Sequence, residues 1–324
     1  MKLLSTWKQV QTLVNFQGGG GGLTMKHFFC RKDKVIFVMG ATGTGKSRLA
    51  IDLATRFPAE VVNSDKMQVF KGLDIVTNKV TEEECRGVPH HLLGFVDQDA
   101  NFTSADFRHH ASKAVDSILT RDRLPIIAGG SNSYIEALVN DDPEFQLRYE
   151  CCILWVDVSL PVLHSFVAER VDKMIQLGLV DEVKKIFNPT ADYSLGIRRA
   201  IGVPELDQYI RLEPTADSET RRKLLEDAIT KIKENNCLLA RRQLQKIHRL
   251  YNQWSWRMHR IDATEVFLKR GEEAEVAWER LVAGPSTMIV DQFLYHNNGV
   301  VVADPTTVMA APAVSIPAVA AASR

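Results

Sequence analysis

A single octet constrains the fold of this chain more than any other part of its sequence. Residues 40–47 follow the pattern G-x-x-x-x-G-K-[ST], directly after the apolar run 35–39 and before a stretch of helical periodicity that ends ahead of Pro58. A buried strand, a glycine-rich turn and a helix in this order predict a loop whose backbone N–H groups surround a phosphate. The residues predicted to bind a diphosphate are Gly40, Ala41, Thr42, Gly43, Thr44, Gly45, Lys46 and Ser47.

Two side chains of this octet carry specific chemistry. Lys46 brings a positive charge to the terminal phosphate, and the Ser47 hydroxyl stands where it can bind a magnesium ion. Magnesium is therefore the expected cofactor, with Ser47 as its predicted ligand. The octet by itself indicates a polyphosphate or diphosphate site, and it does not indicate that ATP is hydrolysed.

Strand-like and helical stretches alternate through the first half of the chain, which is typical of βαβ units. After about residue 160 the pattern becomes helical. The sequence therefore predicts an α/β fold, a P-loop NTPase-like parallel sheet flanked by helices, with a smaller helical annex. The predicted strands are 35–39, 60–63, 124–128 and 152–158, and the main predicted helices are 47–57, 161–177, 180–187 and 218–254.

We expect the chain to divide into four parts. Residues 34–210 form the P-loop α/β core, and residues 211–282 form a helical annex that completes the cleft. Residues 1–33 contain five consecutive glycines and no acidic residue before Asp33, which is typical of an organelle transit peptide and also of a disordered arm. Residues 283–324 are expected to form a low-complexity tail, because their C-terminal part is rich in alanine, valine and proline.

Charge and composition exclude several classes of protein. Forty Lys and Arg balance forty Asp and Glu, so the chain lacks the net positive charge of a protein that grips nucleic acid over an extended surface. No apolar run approaches the roughly 20 residues that span a bilayer, so no membrane partner is expected. The five cysteines contain no C-x-x-C, which argues against a zinc ribbon or a disulfide framework and favours a reducing compartment.

Polar residues follow two other predicted strands at the edge where parallel sheets place their ligands. Strand 60–63 delivers Asp65, whose carboxylate could bind magnesium, act as a general base or merely cap the next helix. Strand 124–128 runs into a Gly-Gly turn, and the hydroxyl of Ser131 after this turn is expected to face the same cleft.

The segments around these positions closely resemble the isopentenyltransferases, enzymes that move a dimethylallyl group onto an adenine amino nitrogen. The resemblance begins with Asn63-Ser64-Asp65-Lys66-Met67-Gln68 and covers about residues 34–262 in the order of that family. Its further segments are 69–79, Pro89-His90-His91-Leu92-Leu93-Gly94, 102–107, 126–134, 170–174, 178–182 and Ala240-Arg241-Arg242-Gln243.

Three features resemble the adenylate branch of that family, the plant cytokinin synthases, more than its tRNA-modifying branch. Lys66 follows Asp65 where tRNA enzymes typically carry serine. Gly202-Val203-Pro204 stands where the bacterial tRNA enzymes have Gly-Tyr-Arg, so the role of that arginine cannot be transferred. The chain also has no Cys/His spacing that could form the zinc finger of eukaryotic tRNA enzymes. For a plant enzyme of this branch the expected location is the plastid, with the cytoplasm as the alternative.

The resemblance implies two substrates, dimethylallyl diphosphate and an adenine nucleotide (ATP, ADP or AMP), and no tRNA. The alternatives are a tRNA dimethylallyltransferase of the same fold and a P-loop small-molecule kinase or nucleotide switch. The basic stretch 221–249, with nine Lys or Arg against three acids, could clamp nucleotide phosphates, contact RNA or form a solvated face. The implied catalytic residues are Asp65, Lys46 and Ser131, and the implied nucleotide-binding residues are Asp65, Arg198, Arg199, Arg241 and Arg242.

Overall fold

The computed structural model describes residues 32–190 and 192–295, whose strands form one parallel sheet. The strand order in this sheet is β3-β2-β4-β1-β5-β6. Strand bounds are β1 Asp33–Met39, β2 Ala59–Asn63, β3 His90–His91, β4 Leu124–Ala128, β5 Tyr149–Asp157 and β6 Met258–Asp262.

Helices cover both faces of the sheet in the part of the chain that the structure describes. Their bounds are α1 Lys46–Arg56, α2 Glu82–Cys85, α3 Ser104–Leu119, α4 Asn132–Val139, α5 Pro143–Arg148, α6 Leu160–Gln176, α7 Leu179–Lys185, α8 Val203–Leu212, α9 Ser218–Trp254, α10 Thr264–Phe267, α11 Gly271–Trp278 and α12 Gly284–Tyr295.

The central strand β1 explains why its sequence is an unbroken apolar run. Val35, Phe37 and Met39 pack into the core beneath α3, α4 and α8, whereas Ile36 and Val38 pack into a second core beneath α1 and α6. Both faces of the strand are therefore buried, as expected for a parallel strand flanked by helices. Strand β1 pairs with β4 on one side and with β5 on the other, which confirms the predicted α/β fold class.

Sequence patterns located most of these elements. Strand β4 and helix α9 have the predicted bounds, and β1, β2, β5, α1, α6 and α7 lie within three residues of them. Two strands were not predicted. Strand β3 has only two residues, which is too short to give a pattern. Strand β6 lies at the other edge of the sheet, and three of the five residues in its sequence Met-His-Arg-Ile-Asp are exposed, so it lacks the apolar run of a buried strand.

The predicted helical annex 211–282 contributes more than helices. Helix α9 packs against α6 and α8, and strand β6 extends the sheet by pairing with β5 in the register Ile153↔Met258.

The predicted start of the C-terminal tail, residue 283, is too early, because a helix occupies the first part of that segment. Helix α12 continues to Tyr295 with Val290 fully buried, and it directly follows the π-helical turn Glu279–Ala283. The composition that suggested a tail belongs to later residues. Residues 1–31 and 296–324 lie outside the described part of the chain, so the predictions for them stay predictions. None of the described helices is both long enough and apolar enough to cross a membrane.

Candidate active site

A cleft of about 720 Å³ lies at the carboxyl ends of β1, β2 and β4, within the size range of small-molecule sites. It brings together the P-loop, the residue after β2 and the Gly-Gly turn after β4. Helices α6, α9 and α11 close its sides. The polar and charged residues of its lining include Thr42, Lys46, Ser47, Asp65, Gln68, Asn78, Glu169, Arg170, Lys173, Lys269 and Arg270.

Lys46 is buried at the start of α1, directly beneath the P-loop. Its Nζ atom donates to the Ala41 carbonyl oxygen at 2.7 Å, and the Thr44 hydroxyl donates to the same oxygen at 3.0 Å. Burial lowers the pKa of Lys46 to about 8, an effect that the charge of Asp65 opposes and that of Arg170 reinforces. A buried ammonium group with a lowered pKa is stabilised when an anion enters the cleft.

Arg170 adds a second cation to the same wall of the cleft. It lies on α6, and its guanidinium group donates to the Thr42 hydroxyl at 3.0 Å. Its Nε atom is buried and has no hydrogen-bond partner among the described residues. Burial lowers the pKa of Arg170, and Asp65 opposes this shift. A buried and unsatisfied guanidinium donor at a P-loop fits the oxygen of a bound phosphate.

Sequence reasoning assigned no role to Arg170, although a usable signal was present. The apolar stripe of α6 consists of Leu163, Val167, Val171 and Met174. Arg170 falls on this buried side of the helix, seven residues after Leu163. An arginine on a buried stripe needs a partner, so the helical periodicity of the sequence is enough to make it a candidate site residue.

Asp65 presents one carboxylate oxygen to the cleft. Its backbone N–H donates to Asn63 Oδ1 at 3.1 Å, and its own Oδ1 accepts from the backbone N–H of Met67 at 2.9 Å. No helix starts directly after Asp65, so the capping alternative is not realised, and this oxygen instead holds the turn at residues 66–69. The second oxygen, Oδ2, faces Gly130, where a Cβ atom would lie only 3.1 Å away. One acceptor atom of Asp65 is therefore available to a ligand.

Residues 129 and 130 lie so close to Ser64 and Asp65 that only glycine fits at both positions. A Cβ atom at Gly129 would lie 2.4 Å from the carbonyl carbon of Ser64. Ser131 follows this turn, and its Oγ atom accepts from the backbone N–H of Lys66 at 2.8 Å. Ser131 does not line the cleft. Its hydroxyl holds the backbone next to Asp65, and direct contact with a substrate stays a prediction.

Two further cations act on Lys66, the residue that follows Asp65, and none of the three lines the cleft. Partial burial, and then the charges of Lys246 and Arg199, lower the pKa of Lys66. Since like charges repel, this cluster of Lys66, Arg199 and Lys246 is stabilised by an anion. Lys246 comes from α9 and contacts Glu136 at 3.1 Å. Sequence reasoning did not assign Lys246 to the site.

The other predicted arginines lie elsewhere. Arg198 donates to Asp99 at 3.1 Å and to the Ile186 carbonyl oxygen at 2.7 Å, so its guanidinium group links loops outside the cleft. Arg241 and Arg242 are exposed on α9. None of these three side chains lines the cleft.

The oxygen donors of the cleft fit a magnesium ion that arrives with a phosphate. Ser47 is exposed and lines the cleft together with Asp65. No cluster of three His, Cys, Asp or Glu residues in the described chain could hold a metal ion alone. Magnesium commonly uses one or two protein oxygens and completes its shell with substrate phosphates and water.

Comparison with known proteins gives consistent similarities. A family model described as IPP transferase matches residues 68–147 and 140–249. The chain is 68% identical over 288 residues to adenylate isopentenyltransferase 5, chloroplastic, of Arabidopsis thaliana, covering 88% of this chain and 86% of that protein. It is 57% identical to adenylate isopentenyltransferase 7, mitochondrial, of the same plant, covering 91% of each. It is 46% identical to adenylate isopentenyltransferase of Humulus lupulus, covering 79% of this chain and 89% of that protein.

Solved structures share the fold. A eukaryotic dimethylallyltransferase acting on tRNA superposes with a TM-score of 0.68 and 23% identity, over 82% of this chain and 80% of that chain. A tRNA isopentenylpyrophosphate transferase from Bacillus halodurans superposes with a TM-score of 0.62 and 25% identity, over 82% of this chain and the whole of that chain.

Proposed function

Because this chain belongs to the adenylate isopentenyltransferases of the IPP transferase family, we propose that its cleft transfers the dimethylallyl group of dimethylallyl diphosphate to the exocyclic amino nitrogen of ATP, ADP or AMP. This reaction begins cytokinin biosynthesis. One observation carries the assignment to these residues. The cations Lys46 and Arg170 line the same cleft as Asp65, so a departing anion can bind next to a group that accepts a proton.

The P-loop side of the cleft receives the donor. Its diphosphate lies among the backbone N–H groups of the loop, with Lys46 and Arg170 as counter-charges. The Ser47 hydroxyl and phosphate oxygens would hold a magnesium ion, which supplies further positive charge to the departing diphosphate. These positive charges neutralise the negative charge that develops on the departing diphosphate, so the bond between the first carbon of the prenyl group and the diphosphate oxygen breaks more readily.

Asp65 serves the acceptor. The amino nitrogen of adenine is a weak nucleophile because its lone pair is delocalised into the ring. Asp65 Oδ2 accepts a hydrogen bond from this amino group and takes its proton as the new nitrogen–carbon bond forms. The products are the prenylated nucleotide and diphosphate. Holding both substrates in one cleft lowers the barrier further, because proximity alone can contribute about 7 to 11 kcal/mol.

The cluster of Lys66, Arg199 and Lys246 suits the phosphates of the nucleotide. Lys66 directly follows Asp65 and is close enough to Arg199 and Lys246 for their charges to lower its pKa, although none of the three lines the cleft. A free nucleotide carries its charge on such phosphates, whereas tRNA offers a long backbone that needs an extended basic surface. The net charge of zero supports the nucleotide over tRNA.

We also propose that residues 1–33 direct the chain to the plastid. The acid-free and basic composition before Asp33 supports this location, as do relatives named chloroplastic. A relative named mitochondrial makes the mitochondrion the main competitor. Imaging of the full chain with a C-terminal fluorescent protein, with and without residues 1–33, distinguishes plastid, mitochondrion and cytoplasm.

Product analysis tests the proposed reaction. The purified chain is mixed with dimethylallyl diphosphate, magnesium and ATP, ADP or AMP in separate reactions, and the products are identified by mass spectrometry. We expect prenylated nucleotide and diphosphate in equal amounts. Transfer to total tRNA and not to any nucleotide would instead support the tRNA enzyme. Phosphate release from ATP without any isoprenoid would support a kinase or nucleotide switch.

A further inference from the structure

The side-chain amide of Gln243 joins the two loops that face each other across the cleft. Its Oε1 atom accepts from the backbone N–H of Thr42 in the P-loop at 2.7 Å. Its Nε2 atom donates to the carbonyl oxygen of Gly130 at 2.8 Å. The backbone carbonyl of Gln243 also accepts from Asn132 Nδ2 at 3.1 Å, which fixes α9 to the start of α4.

Each of the two loops holds a group that the proposed reaction uses. On the P-loop side, the Thr42 hydroxyl accepts from the guanidinium group of Arg170 at 3.0 Å. On the other side, a Cβ atom at Gly130 would lie 2.8 Å from Gln243 Nε2 and 3.1 Å from Asp65 Oδ2. Gln243 therefore sits between the counter-charge of the leaving diphosphate and the carboxylate of the acceptor side.

Gln243 acts from behind the wall of the cleft. It does not line the cleft, and it lies on the same side of α9 as the buried residues Asn236, Ala240 and Ile247. A polar side chain at such a position needs specific hydrogen-bond partners, and the amide of Gln243 has one on each loop. The amide accepts from Thr42 and donates to Gly130 with one planar group, whereas an ionised carboxylate lacks the donor and an aliphatic chain lacks both.

We propose that Gln243 is a positioning residue that sets the separation between the diphosphate site and Asp65. This inference rests on the proposed function. The Thr42 N–H group is occupied by Gln243, so the N–H donors for the diphosphate come from the rest of the loop. In-line transfer needs both reactants at a fixed distance, and a displacement of about 1 Å can lower the rate by about a hundredfold.

Steady-state kinetics of two variants test the proposal. Gln243→Leu removes both hydrogen bonds and approximately keeps the volume. We expect kcat for prenyl transfer to fall by about ten- to a hundredfold, with KM for both substrates within about threefold of wild type. Gln245→Leu, two residues further along α9 and exposed, is the matched control and should keep the wild-type kcat.

Gln243→Glu separates positioning from general destabilisation. When ionised, Glu keeps the acceptor for Thr42 but cannot donate to Gly130. When protonated, it regains a donor. We expect the ratio of its kcat to that of wild type to rise as pH is lowered from 8 to 6, whereas this ratio for Gln243→Leu stays constant. If Gln243→Leu does not fold, the pH dependence of Gln243→Glu decides, and a constant ratio overturns the proposal.

A double-mutant cycle with Asp65→Asn gives the second readout. If Gln243 acts by placing Asp65, Gln243→Leu should lower residual transfer by less than about threefold when Asp65 is already Asn. An equal fall in both backgrounds, or a wild-type kcat for Gln243→Leu, overturns the inference and leaves the proposed function intact. Absence of transfer by the wild-type chain overturns both.

Discussion

The indole ring of Trp278 packs so closely on Gly45 that a Cβ atom at residue 45 would lie 2.8 Å from a ring carbon. Trp278 Nε1 donates to Asp52 at 2.7 Å, and the guanidinium group of Arg48 lies 4.4 Å from the ring centroid. Gly45 also has φ of +88°, a conformation that other residues rarely adopt. Helix α11 thus rests directly on the loop that we propose to bind the donor.

Trp278→Ala should lower the free energy of unfolding by about 3 to 5 kcal/mol, because it removes a large side chain that is only 3% exposed. Denaturant titration of the purified chain measures this loss. Val276→Ala on the same helix is the control, since Val276 is 61% exposed and its removal should change stability by less than about 0.5 kcal/mol. Equal stability of both variants would contradict the packing of α11 on the loop.

Asp65→Asn should lower kcat for prenyl transfer by about 10²- to 10⁴-fold, because the amide keeps an oxygen for Met67 N–H but cannot take the proton. Binding of dimethylallyl diphosphate should change little, which isothermal calorimetry can measure. Asp97→Asn, at an exposed surface position, serves as the control. Turnover within tenfold of wild type would exclude Asp65 as the base.

Affinity for inorganic diphosphate should weaken as pH rises above about 8. Burial lowers the pKa of Lys46 to about 8 in the free protein. The anion favours the charged amine, so binding above this pH must be accompanied by uptake of a proton. Calorimetry between pH 7 and 9.5 measures the change. Lys46→Arg stays charged throughout this range, and a wild-type pH dependence in that variant would show that another group is responsible.

Lys46→Met should be more stable than wild type at pH 7 although it cannot bind diphosphate. The folded state holds Lys46 with a pKa below its ordinary value of 10.5, so the unfolded chain binds more protons between about pH 8 and 10.5. Wild-type stability therefore rises with pH in that window relative to the variant. Unfolding by urea at pH 7 and at pH 10 checks the sign. If the stability advantage of Lys46→Met over the wild type grew with pH, the lowered pKa of Lys46 would be contradicted.

Lys246→Ala should raise KM for ATP and ADP by about tenfold and KM for AMP by less, because it removes one cation of the cluster of Lys66, Arg199 and Lys246 that we propose to bind the nucleotide phosphates. Glu136 keeps its partner Arg249 in this variant. Lys231→Ala, which removes an exposed charge from the same helix, is the control. Unchanged KM values for all three nucleotides would place their phosphates elsewhere.

The sequence was sufficient to predict those elements and site residues that depend on local patterns. The octet follows a strand and begins a helix, and Asp65 follows the neighbouring strand, so both reach the same edge of a parallel sheet by topology alone. Helix α9 was predicted from end to end because its helical pattern is long, and the structure adds that Asp217 caps its start.

The sequence was insufficient to predict the parts of the site that depend on contacts between residues far apart in the chain. Gln243 and Thr42 are 201 positions apart, and Arg170 and Thr42 are 128 apart. Local patterns do not report such contacts. Arg198 and Arg199 are adjacent, yet only Arg199 lies near Lys66, because the turn Gly196–Arg199 directs the two side chains differently.

The order of elements along the chain has a consequence for synthesis. The octet and Asp65 leave the ribosome early, with β1 and β2, whereas α9 and α11, which close the cleft, are made more than 150 residues later. A truncated product that stops before residue 243 would carry every recognisable phosphate motif and lack the residue that joins the two loops. Transcript variants of this kind should be inert as enzymes, whatever their motif content.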